Sequence, residues 1–169
     1  CLLINDYLKQ VKMTNSPDTD ILKAFDEIIQ QSHFWNWSPD WYVAKKIYQS
    51  FPDSYSVLTP FAYSYLEELI RSTTSEYGVE IYDSEKKPKR RRVGMNLIEL
   101  AKKENEERNP EFVLLLEEMK NYFKPSTGID KGENRNSVAH GYMHPRYWSL
   151  ESFEKLILDL AKLSKFGKC

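Results

Sequence analysis

The sequence predicts an all-α fold, an antiparallel helical bundle with extra helices, and three observations carry that reading. Apolar residues recur three and four apart through most of the chain, the spacing of one buried helix face. The triplet Ser-Pro-Asp occurs at 16–18 and again at 38–40. It joins a capping hydroxyl, a proline suited to the first helical position and an acid that complements the helix dipole. Glycines and prolines punctuate the periodic segments, as helix ends require.

Taken in order, the first dozen residues, with Leu2, Leu3, Ile4, Tyr7 and Leu8, form a candidate helix. Ser16-Pro17-Asp18 starts the next, with Ile21, Leu22, Phe25, Ile28 and Ile29 as its stripe. Ser38-Pro39-Asp40 starts another, with Trp41, Ala44, Ile47 and Tyr48 inward, and Phe51-Pro52 stops it. A longer helix is predicted over about 58–77 on Phe61, Ala62, Tyr65, Leu69 and Ile70, with Gly78 as its left-handed end. Residues 79–92 read as a loop, with a short extended piece at 79–82. A helix over 95–108 turns Leu97, Ile98 and Ala101 inward. Asn109-Pro110-Glu111 starts the next, on Phe112, Val113, Leu115, Leu116, Met119 and Phe123. Residues 125–132 read as a turn, and a short helix from 130 or 133 to His140 ends at Gly141. Ser149 then caps a last helix, with Phe153, Leu156, Ile157, Leu160 and Leu163 inward, closing near Gly167.

The 169 residues are read as a single domain. With 41% hydrophobic and 29% charged residues, wholesale disorder and collagen-like repetition are excluded. No run approaches the roughly 20 apolar residues of a spanning helix, so no membrane partner is expected. No secretory leader is recognised. The chain begins at Cys1 rather than at methionine, which leaves room for an upstream domain in a longer protein. Cys1 and Cys169 are the only cysteines and make no disulfide framework, so a reducing, cytoplasmic setting is expected. Lys+Arg number 24 and Asp+Glu 25, but Lys86, Lys87, Lys89, Arg90, Arg91 and Arg92 concentrate six of the cations. The chain is therefore no uniformly basic coat protein, and any polyanion contact is local.

The stretch most suited to chemistry is 133–141, Glu-Asn-Arg-Asn-Ser-Val-Ala-His-Gly. Arg135 and His140 are five apart and thus roughly 140° apart around a helix. Asn136 and His140, four apart, share a face. The string Arg-Asn-x-x-x-His-Gly resembles the signature of the HEPN superfamily, the higher eukaryote and prokaryote nucleotide-binding domains. The motif covers about seven residues, and the helical pattern extends the resemblance over about 16–166. The resemblance implies an antiparallel helical bundle and, in many members, a metal-independent endoribonuclease whose two motif helices meet across a homodimer axis. It implies His140 as general acid and base, Arg135 as the stabiliser of phosphate charge, and Asn136 as a residue that orients His140 or touches substrate. The chemistry suits RNA: an imidazole exchanges protons near neutrality, and a guanidinium fork matches a phosphate gaining charge. Tyr142, Met143 and Pro145 break the helix soon after His140, a departure that places the histidine at a helix end. The superfamily also holds non-catalytic dimerisation and nucleotide-sensing modules. A lone Arg and His at this spacing are ordinarily surface residues, and a helical protein-interaction domain is the third reading.

Lys86, Lys87, Lys89, Arg90, Arg91 and Arg92 offer a sequence-independent phosphate clamp, the alternative being a solvated loop. Arg146 is a further candidate phosphate contact. His140 and His144 have a metal-like spacing, but Gly141 and Pro145 argue against one helix holding both, so no metal and no cofactor are expected. The aromatic stretch from His33 to Trp37 reads as packing at a helix corner. Glu67-Glu68 and Glu117-Glu118 read as solvated acids, although an acid packed near Arg135 would orient it. The expected partners are RNA and a second copy of the chain, with an antitoxin a further candidate; the implied roles are defence, toxin action or stress response.

Overall fold

The computed structural model describes residues 18–32, 36–78, 82–87, 90–126 and 130–167. The candidate helix in the first dozen residues, Ser16, Pro17, His33, Phe34, Trp35, Lys89 and most of the extended piece at 79–82 lie outside them. Among the described residues the structure is all-helical, with seven α-helices: α1 (Thr19–Gln31), α2 (Ser38–Ser50), α3 (Tyr55–Ser72), α4 (Met95–Asn105), α5 (Pro110–Met119), α6 (Arg135–His140) and α7 (Leu150–Ser164). Short 3-10 turns occupy Pro52–Ser54, Lys120–Phe123 and Pro145–Tyr147. None of these helices is long and apolar enough to cross a membrane.

The sequence predicts capping hydroxyls at Ser16 and Ser38, but α1 starts one residue after Asp18, and α2 starts at Ser38 itself with Trp37 as its N-cap and no side-chain cap bond. Asp18 is the N-cap of α1, its side chain accepting from the Asp20 N–H at 2.9 Å. Ser149 caps α7 by accepting from the Ser152 N–H at 3.1 Å. Phe51 stops α2 in an extended conformation, and Pro52 opens the 3-10 turn that follows. Two predicted ends are corrected. The third helix spans Tyr55–Ser72 rather than 58–77, because the hydroxyls of Ser72, Thr73 and Thr74 bond back to the carbonyls of Leu69, Ile70 and Arg71. Gly78 therefore lies in a loop beyond the helix, at φ +71°. The fourth helix stops at Asn105, whose amide donates to the carbonyls of Ala101 and Thr73 at 2.8 and 3.1 Å.

Helix α3 lies at the centre, packed on α4, α6 and α7, while α1 packs on α2 and α7, and α4 on α5. The core between α1, α2, α3 and α7 is aromatic. Phe25 packs its ring 5.8 Å from Trp41, 5.5 Å from Tyr48 and 6.5 Å from Phe153. Trp41 meets Phe61 and Tyr65 edge-on, each at 4.9 Å. Trp37 joins Phe61 and Tyr65 at 5.7 and 5.5 Å, consistent with packing at the corner between α1 and α2. Every predicted inward residue of α7 is buried. Ile47 is not: it is exposed on α2, since the helix turns Trp41, Ala44 and Tyr48 to the core instead.

Candidate functional site

Helix α6 is short enough that its ends define it. Asn134 is its N-cap: the side-chain oxygen accepts from the N–H groups of Asn136 and Ser137 at 2.8 and 3.1 Å. The Asn134 amide donates to the Lys124 carbonyl at 2.7 Å, tying the cap to the end of the 3-10 turn. Gly141 closes the helix in the left-handed region at φ +64°. Ser137 and Val138 face inward, whereas Ala139 and His140 face solvent. The predicted termination at Gly141 is observed; the start is Arg135, set by the Asn134 cap, rather than 130 or 133.

Arg135 leans across to α3. Its Nε lies 3.0 Å from Glu67 Oε1, and its Nη2 donates to Glu67 Oε2 at 3.1 Å, a bidentate pair. Glu67 Oε1 also accepts from the Gly94 N–H at 3.2 Å. Among the described residues nothing bonds Arg135 Nη1. Arg135 lines a cleft of about 270 Å³ together with Pro60, Tyr63, Ser64, Glu67, Val138 and Ala139. Tyr63 donates its hydroxyl to the Gly132 carbonyl at 2.9 Å. Burial first, then the charges of Asp130 and Glu133, push its phenol well above the ordinary range, so it stays neutral. Burial likewise raises Asp130, opposed by the Gly132 N–H that it accepts at 2.7 Å.

His140 is exposed at the opposite end of the helix, with its ring centroid 5.9 Å from that of Tyr142. No hydrogen bond joins its ring to another described residue. Asn136 is turned elsewhere: its amide donates to the carbonyls of Phe123 and Lys124 at 3.1 and 3.3 Å. Among the described residues it makes no hydrogen bond to His140, so its visible work is to bind α6 to the preceding turn.

The basic run divides. Asp83 organises a tight turn by accepting from the N–H groups of Glu85 and Lys87, each at 2.9 Å, and places Lys86 at φ +59°. Lys87 pairs with Glu85 at 2.6 Å. Lys86 and Arg90 are exposed, and Arg91 is half-buried. Arg92 is tied down: Glu76 accepts from its guanidinium and its backbone N–H, each at 3.1 Å. The Arg92 carbonyl accepts from buried Arg71 at 2.8 Å, and Arg71 also pairs with Glu68 and Glu76 at 3.1 Å. These contacts clip residues 92–94 to α3 beside the Glu67–Arg135 pair. Arg146 is exposed, its guanidinium 4.8 Å from the Tyr147 ring centre and donating to the Tyr147 hydroxyl at 2.9 Å.

The sequence reading gives no role to Arg71 or Asn134, and it reads Glu67 as solvated while allowing that an acid packed near Arg135 would orient it. Glu67 is buried rather than solvated, because it faces both Arg135 and the Gly94 N–H. Glu117 keeps its expected solvated place, paired with Lys102 and Lys120. Among the described residues no group of three or more His, Cys, Asp or Glu side chains is placed to hold a metal ion. No family model, curated protein or solved structure matches the chain.

Proposed function

We propose that the chain is a HEPN-type, metal-independent endoribonuclease that acts as a homodimer. The observation that carries this reading is the pairing, on one six-residue helix, of an exposed imidazole with an arginine that lines a cleft, neither the imidazole nor the arginine's Nη1 being hydrogen-bonded among the described residues. One copy sets His140 and Arg135 at opposite ends of α6. A second copy across a two-fold axis supplies the complementary set.

In the reaction, an imidazole of His140 takes the proton of the RNA 2′-hydroxyl. The 2′-oxygen attacks the adjacent phosphorus, the bond from phosphorus to the 5′-oxygen breaks, and a histidine of the pair returns a proton to that leaving oxygen. The products are a 2′,3′-cyclic phosphate and a 5′-hydroxyl. Arg135 stabilises the charge gathered on the phosphoryl oxygens. The exposed cations Lys86 and Arg90 attract the RNA backbone without reading sequence. Roles in cytoplasmic defence, toxin action or stress response, with an antitoxin partner, belong to this reading.

The bidentate grip of Glu67 on Arg135 favours one second reading, a non-catalytic HEPN-like module in which that arginine is structural. Incubation of a mixed RNA pool with the protein in EDTA separates the two. Cleavage that is lost in folded His140→Ala and Arg135→Ala variants supports the nuclease; an inert wild-type dimer supports the module.

A further inference from the structure

We infer that Glu67 is a positioning residue for Arg135, one that fixes which edge of the guanidinium is offered to a phosphate; the inference rests on the nuclease reading above. A guanidinium has two forks, one formed by Nε and Nη2 and the other by Nη1 and Nη2. Glu67 occupies the first, at 3.0 and 3.1 Å. Nothing among the described residues bonds Nη1, and Arg135 lines the same cleft as Pro60, Tyr63 and Ser64. The carboxylate thereby removes the freedom of a long side chain to swing, and it leaves the Nη1–Nη2 edge for a phosphoryl oxygen. A loosely held arginine would have to be ordered during the reaction; this one is ordered beforehand.

The carboxylate is itself held from a second direction. Glu67 Oε1 accepts from the Gly94 N–H at 3.2 Å, and Gly94 follows closely on the basic run, whose last residue Arg92 is fastened by Glu76 and Arg71. The seat of residues 92–94 and the orientation of Arg135 therefore share one oxygen atom. Glu67 has only 9% of its surface exposed, so water does not readily replace either partner.

The test uses Glu67→Gln, which keeps the shape and an acceptor for Gly94 but loses the charge and one acceptor for the fork. The first readout is the Arg135 Nε–H signal in nitrogen-edited NMR, assigned by its absence from Arg135→Lys. It needs no activity. Glu67→Gln is expected to speed its solvent exchange by about tenfold or more while backbone amides of α3 and α6 keep their protection. The second readout is RNA cleavage: kcat is expected to fall about 100-fold with KM little changed. An unchanged Nε–H signal overturns the inference, as does an unchanged kcat in Glu67→Gln when the wild type cleaves. If wild-type protein cleaves nothing, the nuclease reading fails by itself, and the NMR signal still decides whether Glu67 holds Arg135.

Discussion

Arg135→Ala and His140→Ala should differ sharply in stability, although both remove a residue of the same short helix. Arg135 is the partner of a buried carboxylate; among the described residues, truncating it leaves Glu67 with only the Gly94 N–H at 3.2 Å. Breaking a fully buried pair by deleting one member costs about 3–5 kcal/mol. The Arg135 side chain is 21% accessible, so water entering after truncation repays part of that, and about 2–3 kcal/mol remains. For a chain of this size the cost corresponds to a Tm lower by roughly 4–12 °C. His140 is exposed and makes no hydrogen bond with a described residue, so His140→Ala should stay within about 0.5 kcal/mol of wild type. Urea unfolding followed by far-UV circular dichroism reads both values, and equal m-values confirm a common unfolded reference. Glu67→Gln combined with Arg135→Ala should recover part of the loss, since no charge is then stranded. Coincident midpoints for the two single variants would refute the reasoning.

Gly132→Ala should destabilise by about 2–4 kcal/mol, because a Cβ there would lie 3.0 Å from Trp148 Cβ and the backbone sits at φ +94°. Gly141→Ala, at φ +64° with nothing within 4 Å, should cost only about 1–2 kcal/mol, and denaturant titration of the pair tells crowding from backbone strain. Asn134→Ala should cost about 2 kcal/mol and reduce amide protection across α6, as it removes the cap and the tie to Lys124 together. Asp159 gives a pH signature. Burial opposes its ionisation, but hydrogen bonds from Lys155, Tyr122 and Lys162 outweigh burial and hold its carboxyl below the ordinary range. Its contribution is therefore complete above the unfolded value of about 3.9 and fades as pH falls through the folded one. Asp159→Asn should cost about 1–2 kcal/mol at pH 7 and progressively less in acid; a gap that widens in acid would contradict the assignment.

Local signals carried most of the fold. The cap of α7 and the left-handed Gly141 are written in neighbouring residues, so the sequence locates them, whereas the cap of α1 is Asp18 and not the expected hydroxyl of the same triplet. The predicted end of α3 rests on Gly78 as a left-handed cap, but the hydroxyls of Ser72, Thr73 and Thr74 bond back to the carbonyls of Leu69, Ile70 and Arg71 where the helix ends. Ile47 lies on a face of α2 that looks inward on spacing, but it is exposed, the helix turning Trp41, Ala44 and Tyr48 to the core. At the site, Arg135 and His140 were legible through a short motif, yet the residue that grips Arg135 lies on α3, 68 positions away. No local pattern predicts which of two adjacent acids turns inward; Glu67 reaches Arg135, and Glu68 reaches Arg71. The basic run was legible as charge, but the split between fastened Arg92 and exposed Lys86 and Arg90 depends on Glu76 and Arg71, which only the fold brings near.

The central claim is that α6 supports metal-independent RNA cleavage by internal attack. The direct measurement is cleavage in EDTA of an RNA oligonucleotide, beside the same oligonucleotide with a 2′-deoxy nucleotide at the scissile position. Wild type is predicted to cut only the first, leaving a 2′,3′-cyclic phosphate, and His140→Ala is predicted to cut neither. Cleavage of the deoxy substrate, or full activity in His140→Ala, would contradict the account.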